Sequence, residues 1–310
     1  MKEPDYVVDG ILPEGALAAI YGRPKTGKTF VAIDLVLSVV TGRKWMGRTT
    51  KQGPVVYVAA EGGPRLRRRF IAWEEDRDRV EDGFYLVPEP VRPGDPDDLE
   101  KLRRFVSGMD PKPRIIVLDT VARCILPGDE NSNHDMSNFV EGLGGLQREF
   151  GCTVLLIHHT GHEDSRERGA SALRGAVDTL IRVRETDRTM TLTCEAQKDD
   201  EPFAPIHAKL RVVELDEGRT SCVVDEAETV SDDNPRERHE LMILEALAED
   251  EDRTRAELLS ATDVPEGTLA GRLIELTHQG LVEKVSRGKY RRTRAGTEEF
   301  KKRIAAPVDT

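Results

Sequence analysis

The sequence predicts an α/β fold: a mostly parallel, doubly wound sheet followed by a smaller domain of three helices and a hairpin. Three observations carry that prediction. Short apolar runs, Ala16 to Tyr21, Val55 to Ala60, Arg114 to Thr120 and Cys152 to Ile157, alternate with helical patterns, the texture of strands buried on both faces. Each run ends beside a glycine or a polar residue (Gly22, Glu61, Asp119, His158), and in doubly wound sheets ligands gather outside the carboxyl ends of the strands. From Glu226 to Pro235 (EAETVSDDNP) the composition turns acidic and polar, which marks a linker. The expected domains are therefore 1–225, a linker 226–235, a second domain 236–303 and a tail 304–310.

In chain order, the run Ala16 to Tyr21 leads through GRPKTGKT into a helical stretch from Phe30 to Val40, and Gly42 to Gly53 reads as a loop. After the strand Val55 to Ala60 come a helix from about Pro64 to Val80, a strand near Phe84 to Val87, a proline-rich turn from Pro88 to Pro96 and a helix from about Asp97 to Ser107. Beyond the strand Arg114 to Thr120, Ala122 to Asn133 reads as a polar loop, and Ser132-Asn-His-Asp135 resembles a capping box opening a helix to about Phe150. Past Thr179 the runs Leu180 to Arg184, Met190 to Glu195, Ala208 to Val213 and Ser221 to Val224 are expected as antiparallel additions to one edge. In the second domain Leu241, Ile243, Leu244 and Leu247 fit an amphipathic helix, Thr254 to Glu257 is a capping box, and Pro265 opens a helix that stops at Gly280. Leu281 to Val285 and Tyr290 to Thr293 flank SRGK as a hairpin, which completes a winged helix-turn-helix.

Composition narrows the classes. A net charge of -11 gives no global attraction to nucleic acid or anionic membrane, so any basic partner surface must be local. The four cysteines are far apart, without C-x-x-C, and read as reduced thiols. The first ten residues do not form a signal peptide, and no run approaches the ~20 apolar residues of a membrane span, so a cytoplasmic chain with no membrane partner is expected.

The stretch Gly22 to Thr29 fits G-x-x-x-x-G-K-[ST] between a strand and a helix, the context that a phosphate-binding P-loop needs. Its glycines let successive N–H groups converge on phosphate oxygens at the positive end of the following helix. The nucleotide-binding set is Gly22, Pro24, Lys25, Thr26, Gly27, Lys28, Thr29 and Phe30, with ATP and Mg2+ as cofactors. Lys28 supplies a point charge to the β and γ phosphates, and Thr29 offers a hydroxyl to the metal. Asp119 is the second metal residue, Glu61 is placed to orient a water and take its proton, and His158 can bond the γ-phosphate. His158, His159 and His162 have no carboxylate or cysteine at ligand spacing, so no further metal is expected there. The arginines Arg65, Arg68 and Arg69, on one face of the helix after Glu61, read as a solvated face or a subunit contact before DNA.

GRPKTGKT, VVYVAAEGG, IIVLDT followed by DENSNHDM, LLIHHTG and RGASALRGAVDTLIRV together resemble the plasmid RepA-type replicative helicases, a hexameric branch of the RecA-like, DnaB-related P-loop NTPases. The resemblance covers about Pro13 to Val213. It implies ATP bound between subunits of a homo-oligomeric ring, with hydrolysis moving loops around single-stranded DNA. It implies that the loop Gly161 to Gly169 faces the channel with Arg166 and Arg168 as phosphate contacts, although Glu163, Asp164 and Glu167 equally suit a solvated loop. Relatives also present a cation to the neighbour's γ-phosphate; the sequence has CEAQKDD where DnaB-type relatives carry Lys-x-Arg, which makes Lys198 the first candidate and Arg174 the second.

In the second domain Lys284, Arg287, Lys289, Arg291 and Arg292 form a local basic footprint with Tyr290 among them, able to take duplex DNA. The third helix offers few polar readers, and winged helices also dock proteins, so both partners stay open. The expected activity is that of an ATP-driven motor on single-stranded DNA. A nucleotide-gated DNA-binding regulator and a recombination or repair ATPase are the rivals.

Overall fold

The structure, a computed structural model, describes residues 5–61, 63–130, 132–159, 170–186, 188–227, 235–249, 251–262, 264–286 and 288–305. It divides into two compact units, Met1–Glu228 and Thr229–Thr310.

The first unit opens with a small antiparallel pair, β1 (Tyr6–Val8) and β2 (Leu12–Pro13). Then follow β3 (Leu17–Gly22), α1 (Lys28–Thr41), β4 (Val55–Ala59), α2 (Gly63–Asp76), β5 (Phe84–Val87), α3 (Pro96–Ser107), β6 (Ile115–Asp119), α4 (Val121–Cys124), α5 (Asn133–Phe150), β7 (Thr153–His159), α6 (Ala170–Ala176), β8 (Thr179–Thr186), β9 (Thr189–Gln197), β10 (Ile206–Leu215) and β11 (Arg219–Glu226). The described strands β3 to β11 form one nine-stranded sheet in the order β11-β10-β9-β8-β3-β7-β6-β4-β5. The pairs from β8 to β5 are parallel and those from β8 to β11 antiparallel, so the sheet is a mostly parallel one of the RecA-like P-loop kind.

Continuous apolar strands suit this sheet because both faces are covered. Val55, Tyr57, Ile115, Val117, Leu155 and Ile157 join α1, α2, β10 and β11 in one core, while Val56, Val58, Ile116, Leu118, Val154 and Leu156 join α3 and α5 in the other. The period of two in each strand decides which face a residue serves. The helices stop where their caps dictate. Asp95 accepts the N–H groups of Asp97 and Asp98 ahead of α3, with Pro96 at its first position, and Ser132 accepts that of Asp135 ahead of α5.

Several expectations are corrected here. β8 is no edge addition: it pairs in parallel with β3, Ala18 opposite Thr179, and only β9 to β11 extend the sheet antiparallel. Alternation tells that β8 is a strand but carries no information on direction, which the long-range pairing sets. The loop after Asp119 contains the turn of helix α4, whose Val121 and Cys124 are buried. α2 ends at Asp76 rather than near Val80, because Arg77 turns to the Val224 carbonyl and the Asp225 carboxylate.

In the second unit, taken by itself, α7 (Pro235–Ala246), β12 (Arg253–Thr254), α8 (Arg255–Ala261), α9 (Glu266–His278), β13 (Val282–Ser286), β14 (Lys289–Arg292) and α10 (Arg294–Ala305) enclose a core of Ile243, Leu244, Leu247, Leu258, Leu269, Leu273, Leu276 and Val282. Thr254 and Glu257 close the expected capping box. β14 lies between β12 and β13, and α10 carries the chain to Ala305, so the helix extends past the boundary expected at 303. Among the described residues no helix is long and apolar enough to cross a membrane.

Candidate functional site

The P-loop shapes the site from its backbone. Gly22 (φ 152°) and Gly27 (φ 86°) hold positive φ, and a Cβ on them would collide with the Val183 carbonyl oxygen and the Met190 sulfur respectively. Gly27 is the N-cap of α1 and supplies no side-chain cap, so the first N–H groups of that helix face the loop's concavity. Lys28, 3% exposed, donates to the carbonyls of Gly22 (2.8 Å) and Arg23 (2.6 Å) and so spans the loop from within. Burial pushes its ammonium down to about 8, against the pull of Asp119 and Glu61.

Across the cleft stand the strand-end acids. Asp119 is buried, and its Oδ2 accepts the Tyr57 hydroxyl at 2.7 Å. Burial raises its pKa, opposed by hydrogen bonds from Tyr57 and Thr29 and by the charge of Arg69. Thr29 and Asp119 are thus already in contact, a hydroxyl and a carboxylate beside the phosphate loop. Such hard oxygen donors fit Mg2+, completed by phosphate oxygens and water. Glu61 is half exposed, its Oε2 accepting the Thr120 hydroxyl at 3.3 Å with His159 Nε2 at 3.9 Å.

These groups share a cleft of ≈ 960 Å³, at the upper end of the roughly 300–1,000 Å³ of small-molecule sites. Of the expected nucleotide set, Pro24, Lys25, Gly27, Lys28, Thr29 and Phe30 line it, and so do Glu61 and Asp119. Thr26 turns its hydroxyl to the Arg23 carbonyl and braces the loop. His158 is not among the residues that line the cleft. It alternates onto the α3/α5 face of β7, is 3% exposed, and its imidazole is pushed down to about 4 by burial. His159, one step on, faces the cleft instead. The spacing from Leu155 and Ile157 carries that signal once the strand is known to run to His159.

Sequence reasoning also missed Arg68, Arg69 and Leu210, which line the cleft, and Tyr57, which holds Asp119. Arg69 lies with its Cζ 4.2 Å from the Phe30 ring centroid. Leu210 arrives on the β10–β11 hairpin, fastened to α2 where Arg211 grips Asp76 at 2.8 and 2.9 Å.

Among the described residues of the first unit, Lys198 and Arg174 do not line this cleft. Lys198 pairs with Asp178 at 3.0 Å and is half exposed, while Arg174 and Arg182 both bind Glu195, as does the Tyr21 hydroxyl. Arg166, Arg168 and Arg287 lie outside the described residues. In the second unit Lys284 and Lys289 are exposed. Of the footprint expected there, Arg291 is tied to Asp252 at 2.6 Å, and Arg292 turns inward to the Leu244 carbonyl and the Phe300 ring.

A family model described as an AAA domain matches residues 1–165, just over half of the chain. No curated protein matches the chain. The matched span holds the phosphate loop, Glu61, Asp119 and both strand-end histidines, so the chain belongs to the AAA domain family and is a P-loop ATPase.

Proposed function

We propose that this ATPase is a DNA-acting motor of the RepA-type helicase kind, a hexameric ring that hydrolyses ATP between subunits and acts on single-stranded DNA in plasmid, phage or mobile-element replication. The observation that carries the reading is the place of Glu61. It faces Lys28, Thr29 and Asp119 across one cleft and is exposed enough to meet a water, and a nucleotide-gated switch needs no such base. In this mechanism the loop N–H groups and Lys28 hold the β and γ phosphates, and Thr29 and Asp119 would hold Mg2+, which neutralises charge developing on the phosphates. Glu61 orients the attacking water and accepts its proton. Lys198 or Arg174, neither of which lines the cleft of its own chain, serves the neighbour's nucleotide.

The second unit, on this reading a winged helix, takes duplex DNA through Lys284 and Lys289 or docks a protein. The second partner has an observation in its favour. The exposed residues of α9 include Glu266, Gly267, Gly271, Ile274, Thr277 and His278 but no lysine or arginine, and Ile274 is 60% exposed.

The test is steady-state ATP hydrolysis with and without single-stranded DNA, beside the Lys28→Ala protein. Stimulation by DNA that is lost in the variant supports the motor. Turnover indifferent to DNA, with ATP still bound, replaces it with the nucleotide-gated regulator.

A further inference from the structure

We propose that Arg69 is a phosphate-binding residue supplied by the same chain as the P-loop, stacked on Phe30 so that its in-plane N–H groups grip the triphosphate. The proposal rests on the reading of the cleft as an ATP site and adds to it a cation that the loop motif does not contain.

Three observations converge on Arg69. The first is its footing. It sits on α2, whose Leu66, Phe70 and Trp73 are buried against α1 and the sheet, and this fixes the helix face on which Arg69 stands. Its guanidinium then lies 4.2 Å from the centroid of Phe30, the residue immediately after Thr29. A guanidinium stacked on a ring gives up one face and keeps its edge donors, the fork that matches phosphate oxygens.

The second is position. Arg69 lines the same cleft as Lys28, Thr29 and Asp119.

The third is charge. Lys25, Lys28, Arg68 and Arg69 face Glu61 and Asp119 in the cleft, while His159 is pushed toward its neutral form by burial and by Lys28. On a chain of net charge -11 the cleft is an island of positive excess, suited to a magnesium–triphosphate that is itself net negative. Without Arg68 and Arg69, two lysines would only balance two carboxylates.

The test compares ATP with inorganic tripolyphosphate, which has the phosphates and lacks the base, by calorimetric titration of the full chain. Wild-type protein must bind ATP and Lys28→Ala must lose it; a wild type that binds no ATP overturns the site reading itself, and the proposal with it. Given that binding, Arg69→Met is expected to weaken both ligands by about ten-fold or more. Loss of ATP affinity with tripolyphosphate unchanged would assign Arg69 to the base, and no change in either would remove it from the site; both outcomes overturn the proposal. Thermal unfolding followed by tryptophan emission reports whether the variant folds. If Arg69→Met does not fold, Arg69→Lys decides: it keeps charge and length but not the fork, so several-fold weaker binding of both ligands is expected, and wild-type affinity for both would sink the idea.

Discussion

Trp73 Nε1 donates to Asp34 Oδ1 at 2.8 Å, in the middle of the P-loop helix. Trp45 Nε1 takes the other oxygen, Oδ2, at 2.9 Å, so both tryptophans of the chain share one buried carboxylate. Burial pushes Asp34 up to about 6 from 3.8, although the two indoles and Arg77 pull the other way. A raised carboxylate binds its proton more tightly folded than unfolded. Its contribution is therefore full below pH ~4 and lost as pH rises through ~6, on the order of 2–3 kcal/mol in all. Urea unfolding followed by tryptophan emission at pH 5 and pH 8 should show about half of this term in wild-type protein. In Asp34→Asn it should be gone, at a general cost of about 1–3 kcal/mol for the acceptor turned donor. An unchanged pH difference in that variant would rule Asp34 out.

Lys28, held down to about 8 while nucleotide-free, must be protonated to serve phosphate. ATP binding near pH 8 should therefore take up a proton, and affinity should fall as pH rises above 8. Calorimetry in two buffers of different ionisation enthalpy measures the uptake, and equal heats in both would contradict the assignment.

Glu61→Gln should keep ATP affinity and lower turnover by roughly 10²–10⁴-fold, the usual worth of a positioned base. Single-turnover hydrolysis checks it. Unaltered turnover would take Glu61 out of the mechanism.

Tyr57→Phe removes the hydrogen bond to Asp119 Oδ2 while keeping the ring that packs edge-on against Phe70. The buried carboxylate is then less well held, at about 1–3 kcal/mol. Magnesium titration of ATPase activity should show a higher half-saturating concentration with ATP affinity little changed. Identical titration curves would mean that Tyr57 only fills space.

In the second unit, Arg291→Ala should lower thermal stability by breaking its pair with Asp252, by up to about 1 kcal/mol for so accessible a pair. Lys284→Ala with Lys289→Ala should leave stability unchanged. If that unit takes DNA, the double variant should also flatten the salt dependence of binding, by about two in the log–log slope.

The legible part of this protein is what contiguous pattern encodes. Gly22 to Thr29, Glu61 and Asp119 end apolar runs, and strand ends in such a sheet meet by topology, so the sequence alone points these residues to one place. His159 lines the cleft and His158 does not, because one residue of strand reverses the face. Arg69 reads from sequence as a solvated face or a subunit contact because its place in the cleft depends on how α2 packs, and Leu210 is unreadable because the hairpin that brings it returns from a remote part of the chain. Direction of β8 and the inward turn of Arg292 are likewise tertiary outcomes: sheet pairing and ion pairing choose among options that local sequence leaves equal.

The pairing of β3 with β8 has a consequence for how the protein is made. β3 leaves the ribosome long before its neighbour on one side, the strand whose Val183 carbonyl borders Gly22, which begins only at Thr179. Until then the phosphate loop hangs from an open sheet edge, and Leu210 must follow later still. Nucleotide capture is thus tied to near-complete emergence of the first unit, and nascent chains halted at residue 165 would carry the whole AAA match without a finished cleft.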